Sequence, residues 1–214
     1  MNEIGKNMEI TSVERLSPEI NGFREIKPEG DITFQESQKY WDEFFNSEIK
    51  ENPFFSTYEE RLKQTPGENS DLGKWDGDRG ESKFIPNDSE LKGILKKYGL
   101  DGILFENAIP DFSPVSESTV EIDNMTENRA ENFRQCDEKC AKQWNQNERE
   151  EKTNWMARDV ALWRRENGYS WHERNNMETC DLVPSKVNAG FGHLGGVSEC
   201  RKRDTLNEGG DFDE

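Results

Sequence analysis

The two histidines are the residues of this chain best suited to catalysis. His172 and His193 are the only histidines among its 214 residues. Hydrolysis of a phosphodiester needs a base that activates water and a metal ion that neutralises the phosphate and the leaving oxygen. A neutral imidazole can serve in either role near neutral pH. The pair therefore favours a metal-dependent hydrolase.

The charge around the histidines differs from that of the rest of the chain. The formal net charge is −17, which by itself opposes binding to nucleic acid, because phosphates are neutralised by Lys and Arg. Residues 152–203, however, contain nine cationic and six anionic side chains. Both histidines lie in this segment, so the charge pattern allows a nucleic-acid substrate there.

A predicted β-hairpin followed by a short helix brings the two histidines together. The pattern of apolar and turn-forming residues predicts strands at 169–171 and 179–183 and a short helix that starts at Ser185. His172 lies at the end of the first strand, and His193 lies at or after the helix. A unit of this size can place both imidazoles around one cation.

The apolar pattern also predicts the elements upstream of this unit. It predicts helices at 41–45, 55–62, 89–98, 126–144 and 159–167, and strands at 102–105 and 120–122. Residues 1–31 are predicted to be extended or poorly ordered, and residues 66–80 to be a loop. The fold class that follows is α+β, with a mainly helical N-terminal and middle region.

The four cysteines allow a different interpretation. Cys136 and Cys140 lie on the apolar face of the predicted helix 126–144, and Cys180 lies in the second strand of the hairpin. With Cys200 they could form two disulfides or a zinc scaffold with four thiolate ligands. None of their spacings forms a tight pair of zinc knuckles. We therefore expect small buried core residues instead.

Three ordered pieces of sequence surround the histidines. They are Tyr169-Ser-Trp171-His172-Glu173, Met177-Glu-Thr-Cys-Asp-Leu182-Val183-Pro184 and His193-Leu-Gly195-Gly196. Over about residues 155–203 the chain resembles the HNH/endonuclease VII superfamily, in particular the Trp-His-His and Trp-His-Glu-like domains at the C-terminal ends of bacterial polymorphic toxins. The stretch from Gly73 through Pro114 resembles, less specifically, the segment that precedes such domains.

The resemblance implies a ββα-metal (HNH-type) nuclease module that cleaves DNA, or less often RNA. It makes His172 the general base and His193 a metal ligand. Glu173 stands where relatives often have a second histidine. It is therefore a further candidate for catalysis and for metal binding. His172 and Glu173 could exchange the roles of general base and metal ligand. Asn188 stands at another histidine position and either ligates the metal or braces the hairpin. Carboxylates favour Mg²⁺ or Mn²⁺, with Zn²⁺ and Ni²⁺ as alternatives.

Substrate contacts and partners follow from the same resemblance and from the charge pattern. Arg174 and Arg158 are the candidates for binding substrate phosphate. A toxin of this kind needs an immunity protein, which we expect to cover the cationic face of the nuclease. No apolar run is long enough to span a membrane, and no signal peptide is recognisable. These features predict a soluble protein without a membrane partner, either cytoplasmic or exported by a specialised secretion system.

The sequence thus predicts four segments. They are a poorly ordered N-terminus with aromatic helices (1–65), an α+β middle region (66–150), the nuclease module (151–203) and an acidic tail (204–214). Because every candidate site residue lies beyond residue 151, we expect residues 152–214 to retain the cleavage chemistry. The alternative function is an acidic inhibitor that mimics nucleic acid, which the net charge of −17 favours.

Overall fold

A computed structural model of the protein describes residues 55–209. The predicted helix at 41–45 and the extended stretch at 1–31 lie outside these residues. All of these residues belong to the second of the two units into which the chain divides, residues 40–214. Helices α1 to α6 are Tyr58–Gln64, Ser89–Lys97, Arg129–Gln146, Ala157–Glu166, Ser185–Gly190 and Gly196–Gly209. Strands β1 to β7 are Gly73–Trp75, Lys83–Pro86, Ile103–Glu106, Ile109–Pro110, Ser118–Glu121, Tyr169–Glu173 and Thr179–Pro184.

The first sheet is antiparallel, with the strand order β1-β2-β3-β4. It includes β1, which lies in the stretch 66–80 that was predicted to be a loop. The Trp75 ring packs against Phe84 and Phe105, with ring centroids 5.1 and 5.0 Å away, and so holds β1 on the sheet. The fold class is α+β as predicted, but the middle region is not mainly helical, because it contains β1 to β5.

The second sheet is antiparallel and has the order β5-β7-β6. Strands β6 and β7 form the predicted hairpin, in which His172 is paired with Asp181. Strand β5 pairs with β7 on its other side, with Thr119 opposite Asp181. Hydrogen bonds therefore join β5, in the predicted middle region, to β7, in the predicted nuclease module. The four predicted segments remain a prediction.

Strand β7 is buried on both faces of the second sheet. Leu182 packs with Trp171 and the inner faces of α3 and α4. Its neighbour Val183 packs with residues of α2 and α5 in a second cluster. All four cysteines are buried and unpaired, and they belong to the first cluster. Cys136 and Cys140 are thus core residues of α3, as predicted.

Several helix ends differ from the prediction, including the start of α3 and the end of α6. Helix α3 begins at Arg129 and not at residue 126, because the Asn128 side chain accepts hydrogen bonds from the first free backbone amides. Helix α6 continues to Gly209, so the first residues of the predicted loose tail are helical. Between residues 55 and 209, no helix is long and apolar enough to cross a membrane.

Candidate active site

The structure brings His172 and His193 together. Their ring centroids are 5.0 Å apart, with an angle of 66° between the ring planes. The ring of Phe112, from the turn before β5, makes an edge contact with each imidazole, at centroid distances of 4.8 and 5.4 Å. An aromatic wall thus holds the two imidazoles at a fixed spacing.

The alternation of side chains along β6 orients His172. Its neighbour Trp171 is fully buried on the opposite face of the sheet, where its indole N–H donates to Asp137 Oδ1 over 2.9 Å. Arg164 neutralises the same carboxylate, with Nε 3.0 Å from Oδ1. Because Trp171 is anchored in the core, His172 must face the other side.

His193 lies on a loop that packs closely against the end of β6. Its Nδ1 is 2.6 Å from the carbonyl oxygen of Phe191. Donation from Nδ1–H to this oxygen leaves Nε2 as the acceptor nitrogen. A Cβ atom at Gly195 or Gly196 would lie 2.9 and 2.4 Å from the carbonyl oxygens of Glu173 and Arg174, respectively. Only glycine permits this approach.

Both imidazoles are neutral near pH 7. Burial lowers the pKa of His172 well below its usual value, and the positive charges of His193, Arg174 and Arg129 lower it further. A hydrogen bond to Asn188 works in the opposite direction. Burial also lowers the pKa of His193, despite the hydrogen bond to the Phe191 carbonyl, which raises it. Each ring can therefore offer a lone pair to a metal ion or a proton.

Asn188 and Glu173 occupy different positions relative to the histidines. Asn188 donates from Nδ2 to the Trp171 carbonyl over 3.4 Å and lies close enough to His172 to raise the pKa of its imidazole. The Glu173 carboxylate accepts instead from Arg129 and Asn132 in the first turn of α3. In residues 55–209, no three His, Cys, Asp or Glu side chains are grouped to hold a metal ion. Glu173 thus does not complete a metal site with the two imidazoles.

The two arginines predicted to bind phosphate are placed differently. The Arg174 guanidinium forms a two-bond ion pair with Asp181, at 2.6 and 2.9 Å, on the same face of the sheet as His172. Arg158 is exposed at the start of α4, with Nε 3.6 Å from Asp159. Helix α4 packs on the opposite face, with Trp171. The structure therefore does not bring Arg158 to the imidazoles.

The sequence analysis did not identify two residues of the site, Phe112 and Arg129. Phe112 lies in the stretch up to Pro114 that resembles the region before related nucleases, which was the available signal. Arg129 gives no local signal, since an arginine at the start of a polar helix is ordinarily a surface charge. Both residues reach the site only through tertiary packing.

The two imidazoles are ligands of the type that divalent transition metals accept, and the spacing of the rings allows them to share one ion. A metal–nitrogen bond of about 2.1 Å places an ion roughly 3.2 Å from each ring centroid, so two imidazoles that share an ion lie roughly 5 Å apart. The observed separation is 5.0 Å. The Nδ1 contact of His193 with a backbone carbonyl is the support that metal-binding histidines commonly have.

Comparison with known proteins gives one result for the same region. No curated protein sequence matches the chain. Residues 103–195, less than half of the chain, match the family model of the DNase/tRNase domain of colicin-like bacteriocin. This range contains Phe112, Arg129, Asn188 and both histidines. The second half of the chain is therefore similar to a nuclease toxin domain, which implies nuclease activity and binding of nucleic acid.

Proposed function

We propose that the protein is a metal-dependent endonuclease that hydrolyses phosphodiester bonds in DNA, as the effector of a bacterial toxin system. The observation that carries the proposal is the pair of neutral imidazoles, His172 and His193, with ring centroids 5.0 Å apart. The pair lies within the range that is similar to a nuclease toxin domain. Strands β6 and β7 with helix α5 are then a ββα-metal module of the HNH type.

In this proposal His172 and His193 hold one divalent cation. The cation would neutralise charge on the phosphate and on the leaving oxygen. His172 is only 4% exposed, so water would reach it poorly, which favours a ligand over the general base expected from the sequence. Asn188 holds the ring in place. Because Glu173 is bound to Arg129, the donors are imidazoles, which favour Zn²⁺ or Ni²⁺ over Mg²⁺ or Mn²⁺.

Nucleic acid and an immunity protein are the partners in this proposal. An inhibitor that only mimics nucleic acid has no need of two buried neutral imidazoles, so these residues argue against the alternative function. The immunity protein would cover the face that bears Arg129, Arg174 and the imidazoles. DNA is favoured over RNA on the resemblance alone, and parallel assays with both substrates separate the two.

The test is cleavage of supercoiled plasmid by the purified full chain after treatment with EDTA. We expect nicked and linear plasmid only when Mn²⁺, Ni²⁺, Zn²⁺ or Mg²⁺ is added back. His172→Ala and His193→Ala should each lower the rate by roughly 10²-fold or more. Arg158→Ala, on the other face of the sheet, is the matched control and should cut normally. If both histidine variants cut at the wild-type rate, the nuclease proposal is wrong.

Calorimetric titration with the metal that supports cleavage tests the role of His172. Loss of a ligand should weaken the metal affinity of both variants by more than roughly tenfold. Thermal unfolding must show that each variant is folded. If His172→Ala binds the metal normally but does not cut, His172 is the general base that the sequence predicted.

A further inference from the structure

The guanidinium group of Arg129 is fixed in position at the edge of β6. Its Nη2 donates to the Trp171 carbonyl over 3.3 Å. Its Nη2 and Nε also donate to the two Glu173 carboxylate oxygens, over 3.2 and 3.4 Å. The Phe133 ring lies 5.1 Å from the guanidinium carbon. Three groups from β6 and α3 therefore hold this arginine in place.

One edge of the same guanidinium remains available to a ligand. The hydrogen bonds of Arg129 to residues 55–209 use Nε and Nη2 and leave Nη1. The side chain is 52% exposed, so Nη1 can meet a substrate. Guanidinium is charged at every relevant pH, and its planar N–H groups match the oxygens of a phosphate.

Arg129 lies next to the two imidazoles. The Trp171 carbonyl that accepts from Arg129 also accepts from Asn188, and it belongs to the residue directly before His172 in β6. The positive charge of Arg129 is also close enough to lower the pKa of both imidazoles. A phosphate on Nη1 would therefore be near the cation that His172 and His193 are proposed to hold.

The other arginines near the sheet are less suited to this task. Arg174 is bound through both Nε and Nη2 to Asp181 over 2.6 and 2.9 Å, shorter than the contacts of Arg129 with Glu173, and its side chain is less exposed, at 39%. Arg164 is largely buried and bound to Asp137. Arg158 lies on the other face. Arg129 alone among these four combines exposure, a fixed orientation and contact with the residues that surround the imidazoles.

We propose that Arg129 binds a backbone phosphate of the nucleic acid beside the cleaved bond, and that Glu173 is the positioning residue that holds it there. This inference rests on the proposed function and deepens it. It assigns Glu173 to the orientation of a phosphate ligand and not to the metal. It also places part of the site upstream of residue 151, in the first turn of α3.

The test combines DNA binding and cleavage by the full-length chain. Binding of a labelled DNA duplex is measured by fluorescence anisotropy in EDTA over a series of salt concentrations. Arg129→Ala should weaken binding roughly tenfold and make the slope of log K against log[salt] less steep by about 0.9. Arg129→Lys should retain the slope, because it keeps the charge, but bind more weakly. Arg134→Ala, one turn along α3 and bonded to Glu131 and Glu138, should match the wild type.

Glu173→Gln separates the positioning role from a metal role. We expect a raised KM for plasmid cleavage together with unchanged metal affinity in calorimetry. A Glu173→Gln protein that loses the metal, or a folded Arg129→Ala protein with the wild-type salt slope and KM, overturns the inference. If the Arg129→Ala result overturns the inference, metal-dependent cleavage by the wild type still supports the proposal that the protein is a nuclease. A wild-type chain that neither binds nor cuts nucleic acid overturns both proposals.

Discussion

At the scale of single residues, burial determines the chemistry of the cysteine thiols. Burial raises the pKa of Cys140 to about 12 and that of Cys200 to about 11. A hydrogen bond with Cys136 and burial together raise the pKa of Cys180. Since the thiolate is the nucleophile and the zinc ligand, a thiol that stays protonated is chemically inert at neutral pH. These residues therefore act as small apolar side chains.

We expect the native thiols to resist Ellman's reagent at pH 8 and to react once the protein is unfolded. Unfolded thiols ionise near pH 8.5, and the folded pKa values of Cys140, Cys180 and Cys200 are higher, so the unfolded state loses its protons first. The free energy of unfolding should then fall above about pH 8.5, by about 1.4 kcal/mol per pH unit for each such thiol. Urea unfolding between pH 8 and 10 measures the slope, with Cys200→Ser as the comparison. Rapid labelling of the native protein would contradict this prediction.

The sequence could predict site residues that are of a rare type and that are joined by neighbouring secondary-structure elements. His172 and His193 met both conditions, since a hairpin and a short helix join them. Glu173 was assigned beside His172, although neighbouring residues of a strand point to opposite faces. Because the predicted strand stopped short of Glu173, the prediction did not show that Glu173 continues β6 and faces the other side. Arg129 could not be found, because nothing local indicates that it meets Glu173 across more than 40 residues.

At the scale of elements, a buried polar network ties α1 to α6 and to the His193 loop. Glu199 of α6 is fully buried and accepts from the Ser56 amide, the Ser56 hydroxyl and Asn175 Nδ2, each over 2.6 Å. Asn175 also donates to the Leu194 carbonyl over 3.1 Å. The buried Arg61 of α1 donates to the Ser56 carbonyl and provides the positive charge near Glu199. The network thus supports the residue that follows His193.

Glu199→Gln should destabilise the fold and loosen the His193 loop. Removal of the negative charge weakens the hydrogen bonds to the carboxylate and takes away the strongest carboxylate charge that acts on the buried Arg61, which costs about 2 kcal/mol or more. The metal affinity should fall as well, since the loop loses an anchor. Urea unfolding and metal titration measure the two effects. Arg201→Ala, exposed on α6, is the control and should change stability by less than about 0.5 kcal/mol. Wild-type stability in Glu199→Gln would show that the network is dispensable.

Elements with strong local signals were predicted well. Helix α2 begins after Asp88, whose side chain caps it, and ends before Gly99, which adopts a positive φ. The first sheet was not foreseen as a sheet. Its strands have only two to four residues, and β1 lies in a stretch rich in Gly and Asp. Such strands are held by packing with distant residues, as Trp75 shows, and packing leaves no periodic pattern in the sequence.

At the scale of the whole molecule, the site depends on parts of the chain well upstream of residue 151. Strand β5 pairs with β7, α3 covers Trp171, and Phe112 contacts both imidazoles. The second cluster joins Val183 and Phe191 to side chains of the first sheet and of α2. The expectation that residues 152–214 suffice for cleavage conflicts with this packing.

We predict that residues 152–214 alone do not fold, whereas residues 40–214, which form one compact unit, do. The short fragment leaves both faces of β7 without their partners, so the apolar area it can bury is too small to offset its conformational entropy. Circular dichroism melts and limited proteolysis of the two fragments provide the comparison. A cooperative melt of 152–214, with metal-dependent cleavage, would show that the upstream packing is not required.

The position of β6 at the border of its sheet has a consequence for the solubility of the protein. An outer strand with free carbonyl groups is a template on which another chain can add a strand and begin aggregation. The Trp171 carbonyl on this border is occupied by Arg129 and Asn188. The arginine proposed to bind phosphate thus also protects the strand that carries His172 from self-association. A variant that loses Arg129 lacks one of the groups that occupy this carbonyl and should be more prone to strand addition at this edge of β6.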